Sequence, residues 1–110
     1  MAEIITPSTL REALLQTMQN PEVYLGFLYL PRQPWTLDTA GAFFNFDIDP
    51  NIDQTSEFIR QKSWKETLDT DLIDQVIFNA RAQKPDVNLD ELLEAFTYFV
   101  NNDAFMPFEN

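Results

Sequence analysis

The chain has 110 residues, 45% of them hydrophobic and ten of them Phe, enough apolar material for one hydrophobic core in a chain too short to hold two. Eighteen acids against seven bases give a net charge of −11, which disfavours direct contact with nucleic acid or an anionic membrane and favours a basic partner. Cys and His are both absent, which excludes disulfides, zinc fingers, thiol nucleophiles, His-based triads and a His general base.

The opening Met1-Ala-Glu-Ile-Ile lacks the basic region and long apolar core of a signal peptide. Thr9 with Glu12 forms a capping-box pattern ahead of a helix whose apolar stripe is Leu10, Leu14, Leu15 and Met18, and Asn20-Pro21 ends it. Val23 to Leu30 is apolar without alternation, the pattern of a strand covered on both faces, and it is too short to span a bilayer. Gly26 within it marks either a bulge or the close approach of another backbone. Pro31 to Pro34 turns the chain, and Trp35 to Thr39 either begins a return strand or crosses as an irregular segment.

Ala42, Phe44, Phe46 and Ile48 alternate with Phe43, Asn45 and Asp47, which predicts an antiparallel strand over 42–48 with one apolar and one mixed face. Asp49-Pro50-Asn51 stops it. Ile52 to Ser63 is expected to form a short helix with Phe58 and Ile59 inward, and Trp64 to Leu68 a third strand. From Asp69 to Phe105 the periodicity is clearest: Leu72, Ile73, Val76, Ile77 and Ala80 form one helical stripe. After the break at Lys84-Pro85 a second stripe follows, with Leu89, Leu92, Leu93, Phe96, Phe99 and Val100. Asp69 or Thr70 can cap the first of these helices, Asn88 with Glu91 the second, and Asn101-Asn102-Asp103 can close it. The tail to Asn110 carries three large apolar residues and should pack back on the body. The expected fold is α+β, a single domain over 1–110. It comprises a small, mainly antiparallel sheet of about three strands packed with about four helices, ending in a helical hairpin, with strand order left open.

Charge is unevenly placed. From Gln33 to Ile59 there is no Lys or Arg, while Asp38, Asp47, Asp49, Asp53 and Glu57 accumulate; from Pro85 onward the acids are Asp86, Asp90, Glu91, Glu94, Asp103 and Glu109, again without a base. Arg60, Lys62 and Lys65 cluster between the two blocks. Such blocks are either solvated faces with helix-dipole partners or one acidic surface for a cationic protein. Asp47-Ile-Asp49-Pro-Asn51-Ile-Asp53 resembles the start of a calcium loop, but Ile52 stands where Gly is needed and Phe58 where a bidentate Glu is needed. No metal or other cofactor is therefore expected. Trp35, Trp64 and the Phe-rich segments read first as core and second as pocket lining.

At Trp35-Thr-Leu-Asp38-Thr39, at Asn79-Ala-Arg-Ala-Gln-Lys-Pro85 and at Leu92-Leu-Glu-Ala-Phe-Thr-Tyr-Phe-Val-Asn-Asn-Asp-Ala-Phe105, the chain resembles a family of small bacterial proteins of unknown function. Those stretches bear the fold and imply no active site. In size, acidity and want of enzymatic motifs it also resembles the cytoplasmic immunity proteins of contact-dependent growth inhibition.

That second resemblance implies a cytoplasmic, non-enzymatic protein that binds a basic toxin domain, a nuclease, and occludes its active site. Trp35, Asp38, Asp47, Asp49, Asp53 and Glu57 are the candidate partner-binding residues: the carboxylates would meet Lys and Arg that otherwise hold phosphates, and exposed aromatics would anchor. The alternatives are a nucleic-acid mimic that inhibits a DNA-acting enzyme, and a small ligand-binding domain.

Overall fold

The computed structural model of the chain describes residues 9–20, 26–44 and 52–108, the side chains of 52–55 apart. In chain order its elements are α1 (Leu10–Gln19), β1 (Phe27–Leu30), β2 (Ala42–Phe44), α2 (Ile52–Lys62), β3 (Lys65–Asp69), α3 (Thr70–Gln83) and α4 (Leu89–Asn102). The start at Met1, residues 23–25 of the expected first strand, residues 45–48 of the second and the stop at Asp49-Pro50-Asn51 lie outside the described residues.

β1 is the centre of a three-stranded sheet of order β2-β1-β3, antiparallel at both junctions. Its lack of alternation follows from cover on both sides. Leu28 and Leu30 enter a core shared with α1, α3 and α4, while Tyr29 joins Ala42 and Phe44 on the other face against Ile59 of α2 and Trp64. The same cover explains β2, where Phe43 enters the first core and its two neighbours the second. All three residues of Ala42–Phe44 are buried, and Asn45 and Asp47, the polar members of the expected mixed face, lie outside the described residues.

Gly26 leads into the strand just before its irregularity and meets the start of α3. Its φ of 109° is open to glycine at little cost, and the pairing of β1 with β3 shifts register between Phe27 and Tyr29. Its carbonyl accepts from the Thr70 backbone N–H at 3.0 Å and from Thr70 Oγ1 at 3.3 Å, which ties the start of α3 to the sheet.

Trp35 to Thr39 is irregular, and it caps α1. The carbonyls of Thr39 and Leu37 accept from the backbone N–H groups of Leu10 and Arg11 at 2.7 and 2.9 Å, two of the donors a helix leaves unsatisfied at its start. Thr9 Oγ1 takes a third, from Glu12 N at 3.2 Å. The loop is held in shape by Thr36 and Thr39: Thr36 N donates to Thr39 Oγ1 at 2.8 Å, and Asp38 N to Thr36 Oγ1 at 3.2 Å.

α2 ends at Lys62, with Ser63 in the left-handed region at φ 57°. Ile59 points inward as expected. Phe58 also turns toward the second core, its ring 6.1 Å from that of Phe44 and edge-on to Trp64 at 5.6 Å, but it sits at the rim and stays 39% exposed. β3 begins one residue later than expected and runs straight into α3, since Asp69 both ends the strand and caps the helix by accepting from Leu72 N at 2.8 Å.

α3 and α4 form the expected hairpin across Lys84–Asn88, burying Ile73, Val76, Ile77 and Ala80 from one helix and Leu92, Ala95, Phe96 and Phe99 from the other in the same core. Each such large side chain stabilises the fold by about 1.5–3 kcal/mol through burial. The capping box of Asn88 and Glu91 is present, and Asp103, in the left-handed region at φ 53°, closes α4. The tail packs back: Met106 and Phe108 lie on the core, and Gln83 holds them by donating to Met106 O at 3.0 Å and accepting from Phe108 N at 2.9 Å. Among the described residues no helix is long and apolar enough to cross a membrane.

Candidate functional site

The first acidic block is free of bases in sequence but not in space. Asp38 accepts from Arg11 of α1 at 2.9 Å across 27 residues of chain, so the loop that caps α1 also neutralises its own carboxylate. Glu57 pairs with Arg60 one turn along α2, and that hydrogen bond holds its carboxyl below the ordinary value. Asp47 and Asp49 lie outside the described residues, and Asp53 stands in the first turns of α2 with its side chain outside them. Trp35 is half-buried: its Nε1–H donates to Pro31 O at 2.8 Å and its ring packs on Phe96 at 5.6 Å. The structure thus keeps Trp35 and Asp38 on one loop, seats the indole on the core, and joins neither to Glu57 by a hydrogen bond or ion pair.

Among the described residues, carboxylates without an ion pair gather on the helical hairpin. In the second block Lys84 takes up Glu91, whose carboxyl is held down first by that ammonium and then by the Asn88 backbone N–H. Asp86, Asp90, Glu94 and Asp103 are exposed and carry no ion pair among the described residues. Asp90 and Glu94 are four apart, on one outward strip of α4. Beside Glu94, a groove of about 410 Å³ runs between α4 and the Gln33–Trp35 turn, with Thr97 and Tyr98 on its helical side. A reciprocal amide pair lashes that turn to the helix, Gln33 Nε2 to Asn101 Oδ1 at 2.8 Å and Asn101 Nδ2 to Gln33 Oε1 at 3.3 Å.

On α3 the outward face carries the most exposed large apolar residue among those described, Phe78 at 75%. Asp74 and Asp71 lie four and seven residues before it and so share its face. Neither carboxylate has an ion pair among the described residues. A depression of about 460 Å³ surrounds the ring, bounded by Met18, Asp74, Arg81, Ala82 and Pro85. An aromatic ring in solvent, with Asp74 and Arg81 at its edge and Asp71 about one turn beyond Asp74 on the same face, can enter a pocket on another protein while the carboxylates meet that pocket's cations.

Sequence reasoning passed over Phe78 because attention went to the residues on the apolar stripe. The signal was its absence from that stripe: 73, 76, 77 and 80 lie together on a helical wheel and 78 falls opposite. Among the described residues no group of three or more acids is placed to hold a metal ion.

No curated protein and no solved structure matches the chain. A model of the family described as "Domain of unknown function (DUF7716)" matches residues 7–108, nearly the whole chain, and the protein therefore belongs to the DUF7716 family.

Proposed function

We propose that the chain is an immunity protein of the contact-dependent growth inhibition type, which binds a basic nuclease toxin domain and occludes its active site. The observation that carries this reading is the outward face of α3, where Phe78 stands 75% exposed beside the unpaired Asp71 and Asp74. Exposing a phenyl ring gives the isolated fold nothing, whereas a partner that buries it gains an anchor of the kind that dominates interface energetics. The free carboxylates of α4 extend the negative field and would speed encounter with a cationic surface. Asp38 and Glu57, satisfied within the chain, contribute less to it.

A continuous row of acids is what a nucleic-acid mimic needs. Phe78, in the middle of the α3 face, interrupts such a row and weighs toward an aromatic-anchored protein contact.

The test is co-expression with a basic nuclease toxin domain encoded in the neighbouring gene. The expected result is a complex that survives purification and whose association slows steeply as ionic strength rises from about 0.05 to 0.5 M. Growth rescue without any complex, or a cognate toxin domain that is acidic, would overturn the proposal.

A further inference from the structure

A groove of about 1030 Å³ gathers cations in a chain whose net charge is −11. Four of the seven bases line it, Arg32, Arg60, Lys62 and Lys65, together with Trp35 and Trp64. The fold brings them there from three places. The pairing of Leu30 with Lys65 lays the turn after β1 beside the junction of α2 and β3, so that Arg32 comes alongside the bases at 60–65.

Arg60 and Lys62 sit in the last turn of α2, where the helix dipole favours cations, and Arg60 already pairs with Glu57. The dipole does not account for Arg32 or Lys65. Lys62 contacts the Phe58 ring at 5.8 Å, and Arg32, Lys62 and Lys65 have no ion pair among the described residues. In a chain with eighteen acids to seven bases, gathering three cations without an ion pair among the described residues around one groove is opposite to what composition favours. Glu66, the one described carboxylate lining it, accepts instead from the Tyr29 hydroxyl at 3.3 Å.

We propose that this groove binds a nucleoside di- or triphosphate, with the phosphates held by Arg32, Lys62 and Lys65 and the base against Trp35 or Trp64. The two kinds of lining residue call for the two halves of one ligand: flexible cationic side chains suit phosphate oxygens, and half-buried indoles suit a flat heteroaromatic ring. The groove is at the upper end of the size of small-molecule sites. Total charge decides between a nucleotide and a strand of nucleic acid. A compact ligand within about 8 Å of the cations responds to the local positive field, because screening at physiological salt removes more distant charges. An extended polyanion would run out over a body of net charge −11 and be repelled.

The chain's only two tryptophans both line the groove, so indole fluorescence reports directly on its occupancy. Titration of the intact chain with ADP and ATP is expected to give a saturable change at or below about 1 mM. Adenosine and pyrophosphate, each offering half of the contacts, should bind about tenfold more weakly or worse, and Lys62→Glu with Lys65→Glu should weaken ADP by about tenfold or more. Both lysines are exposed and free of ion pairs among the described residues, so that variant should stay folded, with its melting temperature lowered only by the loss of the Lys62 charge at the end of α2 and of its contact with Phe58. Should it not, Arg32→Glu alone carries the same expectation from a different segment. No saturable change up to about 1 mM would overturn the proposal. So would equal affinity for adenosine or pyrophosphate, indifference to charge reversal, or tighter binding of a single-stranded oligonucleotide than of ADP.

Discussion

Phe78 and Phe96 lie on the two helices of one hairpin, and truncating each to Ala should have opposite consequences. Phe96 is fully buried between Trp35 and the core, so Phe96→Ala removes its burial energy and leaves a cavity, a loss of about 3–5 kcal/mol. Phe78 keeps 75% of its surface in water, so Phe78→Ala forfeits little packing and gains helix propensity. Its stability should stay within about 0.5 kcal/mol of the parent. In the complex the order reverses. Burying a whole Phe side chain is worth about 1.5–3 kcal/mol, and three-quarters of that remains unspent in the free chain, so Phe78→Ala should weaken partner binding by roughly 1–2 kcal/mol, or about 5- to 30-fold in Kd. Urea unfolding followed by circular dichroism reads the first quantity, and calorimetry with the basic toxin domain reads the second. A Phe78→Ala chain that loses more than about 2 kcal/mol of stability, or binds unchanged, would show that the ring serves the fold and not a partner.

Gln83→Ala removes the side chain that bonds Met106 O and Phe108 N, so it should cost about 2 kcal/mol and make the C-terminal tail sensitive to proteolysis ahead of the body; equal cleavage rates would argue against the clamp. Thr17 is fully buried in α1 and its hydroxyl has no hydrogen-bond partner among the described residues, so Thr17→Val should raise stability by about 1 kcal/mol in thermal unfolding, and a fall would mean the hydroxyl is satisfied. Glu91 titrates below its ordinary 4.5 because of Lys84 and the Asn88 N–H, so its contribution is full above that value and is lost as pH falls through the lowered one. The stability gap between the parent and Glu91→Gln should therefore close on acidification in that range. A gap that stays constant from neutral pH through that range would dismiss the pair as a stabilising element. Comparing the two proteins at each pH cancels the opposing gain from relieved self-repulsion, which both share.

The layout of the fold was legible where one local rule decided the outcome. The stripes of α3 and α4, the box of Asn88 and Glu91 and the cap at Asp69 all follow from spacing within a single helix. The unalternating run ending at Leu30 correctly implied cover on both sides, though it could not say that α2 supplies one cover and three helices the other. Trp35 to Thr39 was ambiguous for a physical reason: its hydrogen-bonding groups are satisfied by Leu10 and Arg11, whose distance along the chain no propensity records. Phe58 leans on Phe44 and Trp64 as its spacing implied yet keeps 39% of its surface in water, because amphipathicity ranks residues by direction and says nothing about how deeply each is covered.

The candidate surfaces were harder to foresee because net charge is a property of composition, whereas an electrostatic field depends on which charges meet. Arg11 pairs with Asp38 from far along the chain, and Arg60 with Glu57 from the next turn, so both acids of that base-free block whose side chains are described meet a cation in the fold. Lys84 pairs with Glu91 and lies within the field of Asp86, and Asp90 and Glu94 on the same helix have no ion pair among the described residues. The same logic applies to the cations: the cluster at Arg60 to Lys65 reads as a local interruption of an acidic chain until β1 brings Arg32 alongside it. Acids concentrated on the helical hairpin and bases gathered around one groove make the two surfaces separable by mutation. Charge reversal at Lys62 and Lys65 should leave the affinity for a basic partner at the Phe78 face intact, and Asp71→Asn with Asp74→Asn should leave the groove's ligand response intact. If either variant moved both readouts together, the independence of the two surfaces would be lost.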